Sequence, residues 1–184
     1  MIVLVTGGAS SGKSAYAEGL ALSLPGPHWY VATMARSGAE AERRIERHRQ
    51  LRKGKGFRTV ETCGDGGSLV SALTAVRGGT ALVEDLGNLV STRLFLPDGT
   101  MAAVEDVLAS CEADLAGLVG HVQSVVFVGN QIGSDGVSND QTTMAYLRLL
   151  GTLSCRLAAH SDAVVEVVCG RPNVLKGAQI LERA

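Results

Sequence analysis

Apolar positions along this chain come in two textures. Runs such as Ile2-Val-Leu-Val-Thr6 and Ser124-Val-Val-Phe-Val128 are short, continuous and rich in β-branched residues, as expected of strands buried on both faces of a parallel sheet. Between them lie longer segments whose apolar residues recur with helical period. Strands are predicted at 2–6, 28–33, 57–62, 80–85, 124–130 and 163–169, and helices at 13–24, 39–53, 68–76, 101–122 and 142–160. Pro25-Gly26-Pro27, Gly54-Lys55-Gly56 and Gly78-Gly79 punctuate these elements, and no linker of disordered composition interrupts them. The alternation predicts one α/β domain over residues 1–184, with a mostly parallel sheet covered on both faces. It does not give the strand order.

Composition narrows the classes. Of 184 residues 46% are hydrophobic and 19% charged, with 17 basic against 18 acidic side chains, which argues against disorder. The near-neutral charge gives no global reason to bind nucleic acid or an anionic membrane, and aromatics are only 4%. The chain opens directly into a strand and no apolar run approaches the ~20 residues of a membrane helix, so no membrane span and a cytoplasmic location are expected. Cys63, Cys111, Cys155 and Cys169 are widely separated and read as reduced, mostly buried thiols.

The first strand runs into Gly7-Gly8-Ala9-Ser10-Ser11-Gly12-Lys13-Ser14, which fits the phosphate-binding pattern G-x-x-x-x-G-K-[ST] at every fixed position, with a helix following. Glycines let backbone N–H groups turn inward around a phosphate, and the helix N-terminus adds partial positive charge. Lys13 is suited to neutralise β- and γ-phosphate oxygens, and the Ser14 hydroxyl to take one position on Mg²⁺. Such a site calls for a carboxylate at the end of a second strand. Thr80-Ala-Leu-Val-Glu84-Asp85 offers two, on opposite faces by alternation, so one of them faces the metal. Glu84 is the candidate; the pattern does not decide between it and Asp85.

Charge of another kind gathers at 39–53. On a helix Arg44, His48 and Arg52 share a face, beside Ala41 and Ile45, which puts His48 at a border between core and solvent. The neighbouring arginines disfavour an imidazolium and would leave a neutral nitrogen free to act as a nucleophile. An ordinary solvated helix, with Glu40, Glu42 and Glu46 balancing the arginines, fits the spacing equally and is the plainer reading.

The phosphate loop is joined by Tyr30-Val-Ala32-Thr33, by Arg44-Ile45 with His48-Arg49, and by Phe57-Arg-Thr-Val-Glu61. Val128-Gly-Asn130-Gln131-Ile-Gly133, and Cys169-Gly170 with Leu175-Lys176, complete a set that spans nearly the whole chain. In this combination the sequence resembles the bifunctional adenosylcobinamide kinase / adenosylcobinamide-phosphate guanylyltransferase family of cobalamin assembly. The resemblance implies a three-layer, RecA-like P-loop NTPase fold. It implies phosphorylation of adenosylcobinamide by ATP or GTP, then GMP transfer from GTP through a guanylyl-histidine, matched here by His48. Lys13 and His48 are then catalytic. The nucleotide is held by Gly7, Gly8, Ala9, Ser10, Ser11, Gly12, Lys13, Ser14, Thr33, Arg49, Glu61 and Glu84, with Mg²⁺ on Ser14 and Glu84. A cytoplasmic homotrimer is implied as well.

Some positions depart from the family pattern. Gln131 and Leu149 stand where acidic residues are usual, Asp85-Leu-Gly87 replaces a Cys-x-Thr stretch, and Gly38-Ala39-Glu40 thins an acidic cluster. Two rivals stay open at this point: a small-molecule P-loop kinase without a histidine adduct, and a non-catalytic nucleotide-binding protein.

Overall fold

The computed structural model describes residues 1–34, 43, 46, 49–50, 53–62, 76–133 and 140–182. The β-branched runs form β1 (Ile2–Thr6), β2 (His28–Ala32), β3 (Phe57–Glu61), β4 (Thr80–Glu84), β5 (Ser124–Val128) and β6 (Ala163–Val168). All six pair in parallel, and β7 (Arg171–Lys176) adds antiparallel to β6, giving the order β3-β2-β4-β5-β1-β6-β7. Side chains of opposite parity feed two cores. Val3, Val5, Leu82, Val126 and Val128 pack against α1 (Lys13–Ser23). Leu4, Val83, Val125 and Phe127 pack against α2 (Leu86–Leu94), α3 (Val104–His121) and α4 (Gln141–His160). The result is the expected three-layer α/β fold, with a short α5 (Ala178–Leu181) near the C-terminus.

Several boundaries differ from the sequence reading. The first expected strand matches β1, and the other five run one or two residues long because Thr33, Thr62, Asp85, Asn130 and Cys169 already belong to the loops that leave the sheet. Helix α2 was not anticipated. Its Leu86, Leu89, Val90 and Leu94 are buried, so tertiary packing sustains it rather than propensity, and Arg93 ties it to α3 by donating to Asp114 and, at 2.9 Å, to Ser110 Oγ. The helix expected from 101 begins at Val104, since Met101 bridges back to Phe95. Strand β7 escaped notice because Arg171-Pro-Asn-Val-Leu-Lys is exposed throughout and contains a proline, tolerated only at a sheet edge. Of the segment 39–53, Arg43, Glu46, Arg49 and Gln50 are helical, whereas Arg44, His48 and Arg52 lie outside the described residues, as do 68–75. Cysteine burial is also corrected. Cys111 is buried in α3, but Cys155 on the outer face of α4 and Cys169 in the β6–β7 turn are exposed, and Cys63 is not described.

Asp140 caps α4, its Oδ1 accepting from the Thr142 and Thr143 N–H groups at 2.9 Å and its Oδ2 from Thr143 Oγ1 at 2.8 Å. The Thr143 N–H and hydroxyl hold this carboxyl below its ordinary pKa. A depressed folded-state pKa stabilises above the unfolded value, and the contribution is lost as pH falls through the folded one. Asp140→Ala therefore lowers Tm at neutral pH by about 3 °C, and thermal melts of the two proteins converge in strong acid.

Candidate active site

Strand β1 delivers the chain into a loop at 7–12 that closes on α1. Gly12, at φ 90°, takes the left-handed conformation that lets the loop turn into the helix. Gly7 is needed for a different reason: a Cβ there would meet the Val167 carbonyl oxygen at 2.6 Å. The loop is braced from the β6–β7 turn, where the Gly170 N–H donates to the Ser11 carbonyl at 2.8 Å. Lys13 is folded over this loop, only 8% exposed, its Nζ donating to the Gly8 carbonyl at 3.0 Å. Among the described residues no carboxylate pairs with it. A buried ammonium with one neutral acceptor is poorly compensated, so the site favours an anionic ligand. The Ser11 hydroxyl, buried without a hydrogen-bond partner among the described residues, has a proton to donate to the same anion.

The sheet decides between the two acidic residues at the end of β4. Ser14 Oγ donates to Glu84 Oε1 at 2.5 Å, while Asp85 turns away to cap α2 by accepting from the Asn88 N–H at 2.7 Å. β5 lies between β1 and β4, so this hydrogen bond spans an intervening strand. Burial pushes the Glu84 carboxyl above its ordinary pKa; the Ser14 hydrogen bond opposes this and the nearby Asp85 charge adds to it. Glu84 Oε2 is buried without a hydrogen-bond partner among the described residues. A hydroxyl oxygen and a carboxylate with an oxygen left over are hard donors at the mouth of a phosphate loop, and this set fits Mg²⁺.

Other expected site residues line the same edge of the sheet. Register aligns Ala32 with both Glu61 of β3 and Glu84 of β4, so the next residue, Thr33, and the two glutamates mark the carboxyl ends of three adjacent strands. Thr33 is fully buried. Its N–H donates to the Glu84 carbonyl at 3.1 Å and its hydroxyl to the Asp85 carbonyl at 2.7 Å, fixing the exit from β4. Arg49 donates to Glu61, which anchors the described part of the basic helix to this edge. An open, basic cavity of about 320 Å³ lies along β3, bordered by Arg49, Gln50, Lys53, Phe57 and Thr59.

The departures from the expected pattern acquire places too. Gln131 donates through its N–H to the Gly7 carbonyl at 3.1 Å and through Nε2 to Glu166 Oε1 at 2.7 Å, so its amide braces the phosphate loop to β6. Leu149 is 1% exposed in the core between α4 and the sheet, a position where apolar packing is used. The sequence reading missed the bracing of the loop by Gly170 and the gathering of Asn130 and Tyr146 around Gly87. Cys169-Gly170 was visible as a motif, but nothing local says that a turn more than 150 positions downstream touches Ser11.

The model of a family described as cobinamide kinase / cobinamide phosphate guanyltransferase matches residues 3–175. The bifunctional adenosylcobalamin biosynthesis protein CobP of Pseudomonas aeruginosa is 30% identical over 95% of this chain and 96% of its own length. The CobU proteins of Salmonella typhimurium and Escherichia coli are 31% and 29% identical over 92% of this chain and 97% of theirs. A solved structure described as a prototypical ATPase from the type III secretion system matches with a TM-score of 0.47 and 15% identity, over 90% of this chain and 50% of that one.

Proposed function

The chain belongs to the cobinamide kinase / cobinamide phosphate guanyltransferase family, and from that premise we propose that it phosphorylates adenosylcobinamide and then transfers GMP from GTP to the phosphate, in adenosylcobalamin biosynthesis. The observation that carries this reading is Lys13, a buried cation lacking a carboxylate partner among the described residues and set beside the Ser14–Glu84 pair. In the first step the aminopropanol oxygen of the corrinoid bonds to the γ-phosphorus as the bond from that phosphorus to its bridging oxygen breaks. The nucleoside diphosphate leaves with the electron pair, and the hydroxyl proton passes to solvent. Lys13 and the inward N–H groups of the loop hold charge on the phosphate oxygens, where positioning and electrostatics supply most of the rate.

In the second step a neutral nitrogen of His48 attacks the α-phosphorus of GTP and pyrophosphate leaves. An oxygen of the corrinoid phosphate then displaces the imidazole to give the GDP-linked product. His48 lies outside the described residues; supporting its role is the next residue, Arg49, held at the carboxyl edge of the sheet by Glu61. Ser14 and Glu84 would hold Mg²⁺, which neutralises phosphate oxygens when bound. Thr33 fixes the Glu84 and Asp85 backbone at the carboxyl edge of the sheet. Among the described residues no helix is long and apolar enough to cross a membrane. The same reading makes the enzyme a cytoplasmic homotrimer, to be checked by its mass in solution.

Incubation with GTP labelled at the α-phosphate tests this function. Acid-labile, base-stable label on the protein, chased into corrinoid by cobinamide phosphate, is the expected result. Phosphorylated corrinoid without protein-bound label would reduce the enzyme to a kinase. Glu84→Gln retains an oxygen to accept from Ser14 but loses the charge, so the Mg²⁺ concentration for half-maximal turnover rises at least about tenfold. Unchanged Mg²⁺ dependence would remove Glu84 from the metal's coordination.

A further inference from the structure

We propose that Gln131 and Glu166 are positioning residues for the phosphate loop: their hydrogen bond is a strap across the exit of β1 that sets the protein's grip on a triphosphate. In the sheet β1 lies between β5 and β6. Just past the end of β5, the Gln131 N–H donates to the Gly7 carbonyl at 3.1 Å, continuing the pairing in which the Gly129 N–H donates to the Val5 carbonyl at 2.8 Å. On the other side of β1, Glu166 stands in register with Thr6. Gln131 Nε2 donates to Glu166 Oε1 at 2.7 Å. Side chains from the two strands that flank β1 therefore meet across its last residue, where the phosphate loop begins.

The residue types fit this task. Glu166 is the single charged side chain of β6, Ala163-Val-Val-Glu-Val-Val168, in a strand that local propensity would fill with apolar residues. Its partner is an amide, which can donate where a second carboxylate cannot. The amide also leaves one negative charge rather than two beside a loop built for a polyanion, and like charges this close would repel each other and the ligand.

The strap completes a frame around the loop. From the β6 side the Val167 carbonyl oxygen already crowds Gly7, 2.6 Å from where a Cβ would stand, and the Gly170 N–H holds the Ser11 carbonyl. Gln131 ties the same glycine to β5 and, through Glu166, β5 to β6. With the Gly7 carbonyl held from both sides, the N–H groups that follow keep their direction before a phosphate arrives, and a preorganised cradle binds more tightly than one that must be ordered by its ligand. The inference rests on the phosphate-loop reading and adds to it which distant side chains tune that loop.

The test is the Kd of a non-hydrolysable ATP analogue with Mg²⁺, read by titration calorimetry on the full chain. Gln131→Leu keeps the backbone N–H and the net charge but breaks the strap, and raises this Kd about fivefold. Gln131→Glu sets two carboxylates against each other and raises it at least about tenfold. Adding Glu166→Gln to that variant exchanges donor and acceptor, restores the wild-type charge and brings the Kd back to within about threefold of wild type. In turnover the KM for ATP follows the Kd, while the KM for cobinamide and kcat at saturating ATP stay within about twofold. A Gln131→Leu protein with wild-type Kd would reduce the effect of Gln131→Glu to net charge and overturn the strap, as would a loss that the exchanged pair leaves unrepaired. Wild-type protein that binds the analogue yet phosphorylates no corrinoid overturns the kinase reading and leaves the strap to stand or fall on the Kd values.

Discussion

Lys13→Ala slows phosphorylation of cobinamide and guanylylation of the protein by on the order of 10²–10³-fold each, without unfolding the chain. On the proposed mechanism both steps build negative charge on phosphate oxygens held by one loop, and Lys13 is folded over that loop with its Nζ on the Gly8 carbonyl. Stability should not follow activity. The ammonium is buried against a single carbonyl, so its removal also relieves an uncompensated desolvation, and the Tm of the ligand-free protein stays within about 2 °C of wild type. What disappears is the rise in Tm on adding triphosphate and Mg²⁺, because stabilisation by a ligand tracks its affinity for the folded state. Scanning calorimetry with and without nucleotide, beside the two rate measurements, checks all of this. A variant that retains its ligand-induced shift and turnover would show that the buried ammonium does not serve phosphate.

His48→Ala separates the two activities. A covalent nucleophile has no partial substitute, so protein-bound label from α-labelled GTP disappears and GMP transfer falls on the order of 10⁴-fold or more. Phosphorylation of cobinamide needs no imidazole and stays within about threefold of wild type, because the loop, Lys13 and the Ser14–Glu84 pair remain intact. Label persisting on the alanine variant would assign the nucleotidyl carrier to another residue. Equal loss of both steps would mean instead that the basic helix shapes the shared nucleotide site.

The elements most legible in the sequence are those whose cause is local. β1, β5 and β6 are continuous runs of β-branched residues because both faces of a central strand are buried, and the structure buries them from both sides. The phosphate loop was legible for a related reason: its glycines, lysine and serine act through backbone geometry within eight consecutive positions. Helix α2 and strand β7 were not. One depends on apolar residues reaching a core supplied by distant segments, and the other is a polar edge whose identity comes only from its partner β6.

The candidate site divides along the same line. Residue chemistry alone pointed to a triphosphate, to a carboxylate at the end of β4 and to a basic helix bearing a histidine. Only the packed sheet turned Glu84 toward Ser14 and committed Asp85 to capping α2. The sheet also set Gly170 against Ser11 and drew Asn130 and Tyr146 around Gly87. The physical reason is range. Conformational preference and periodicity act over a few residues, whereas the direction of a side chain at the end of a strand depends on which strand lies beside it, and that order is settled by burial over the whole domain.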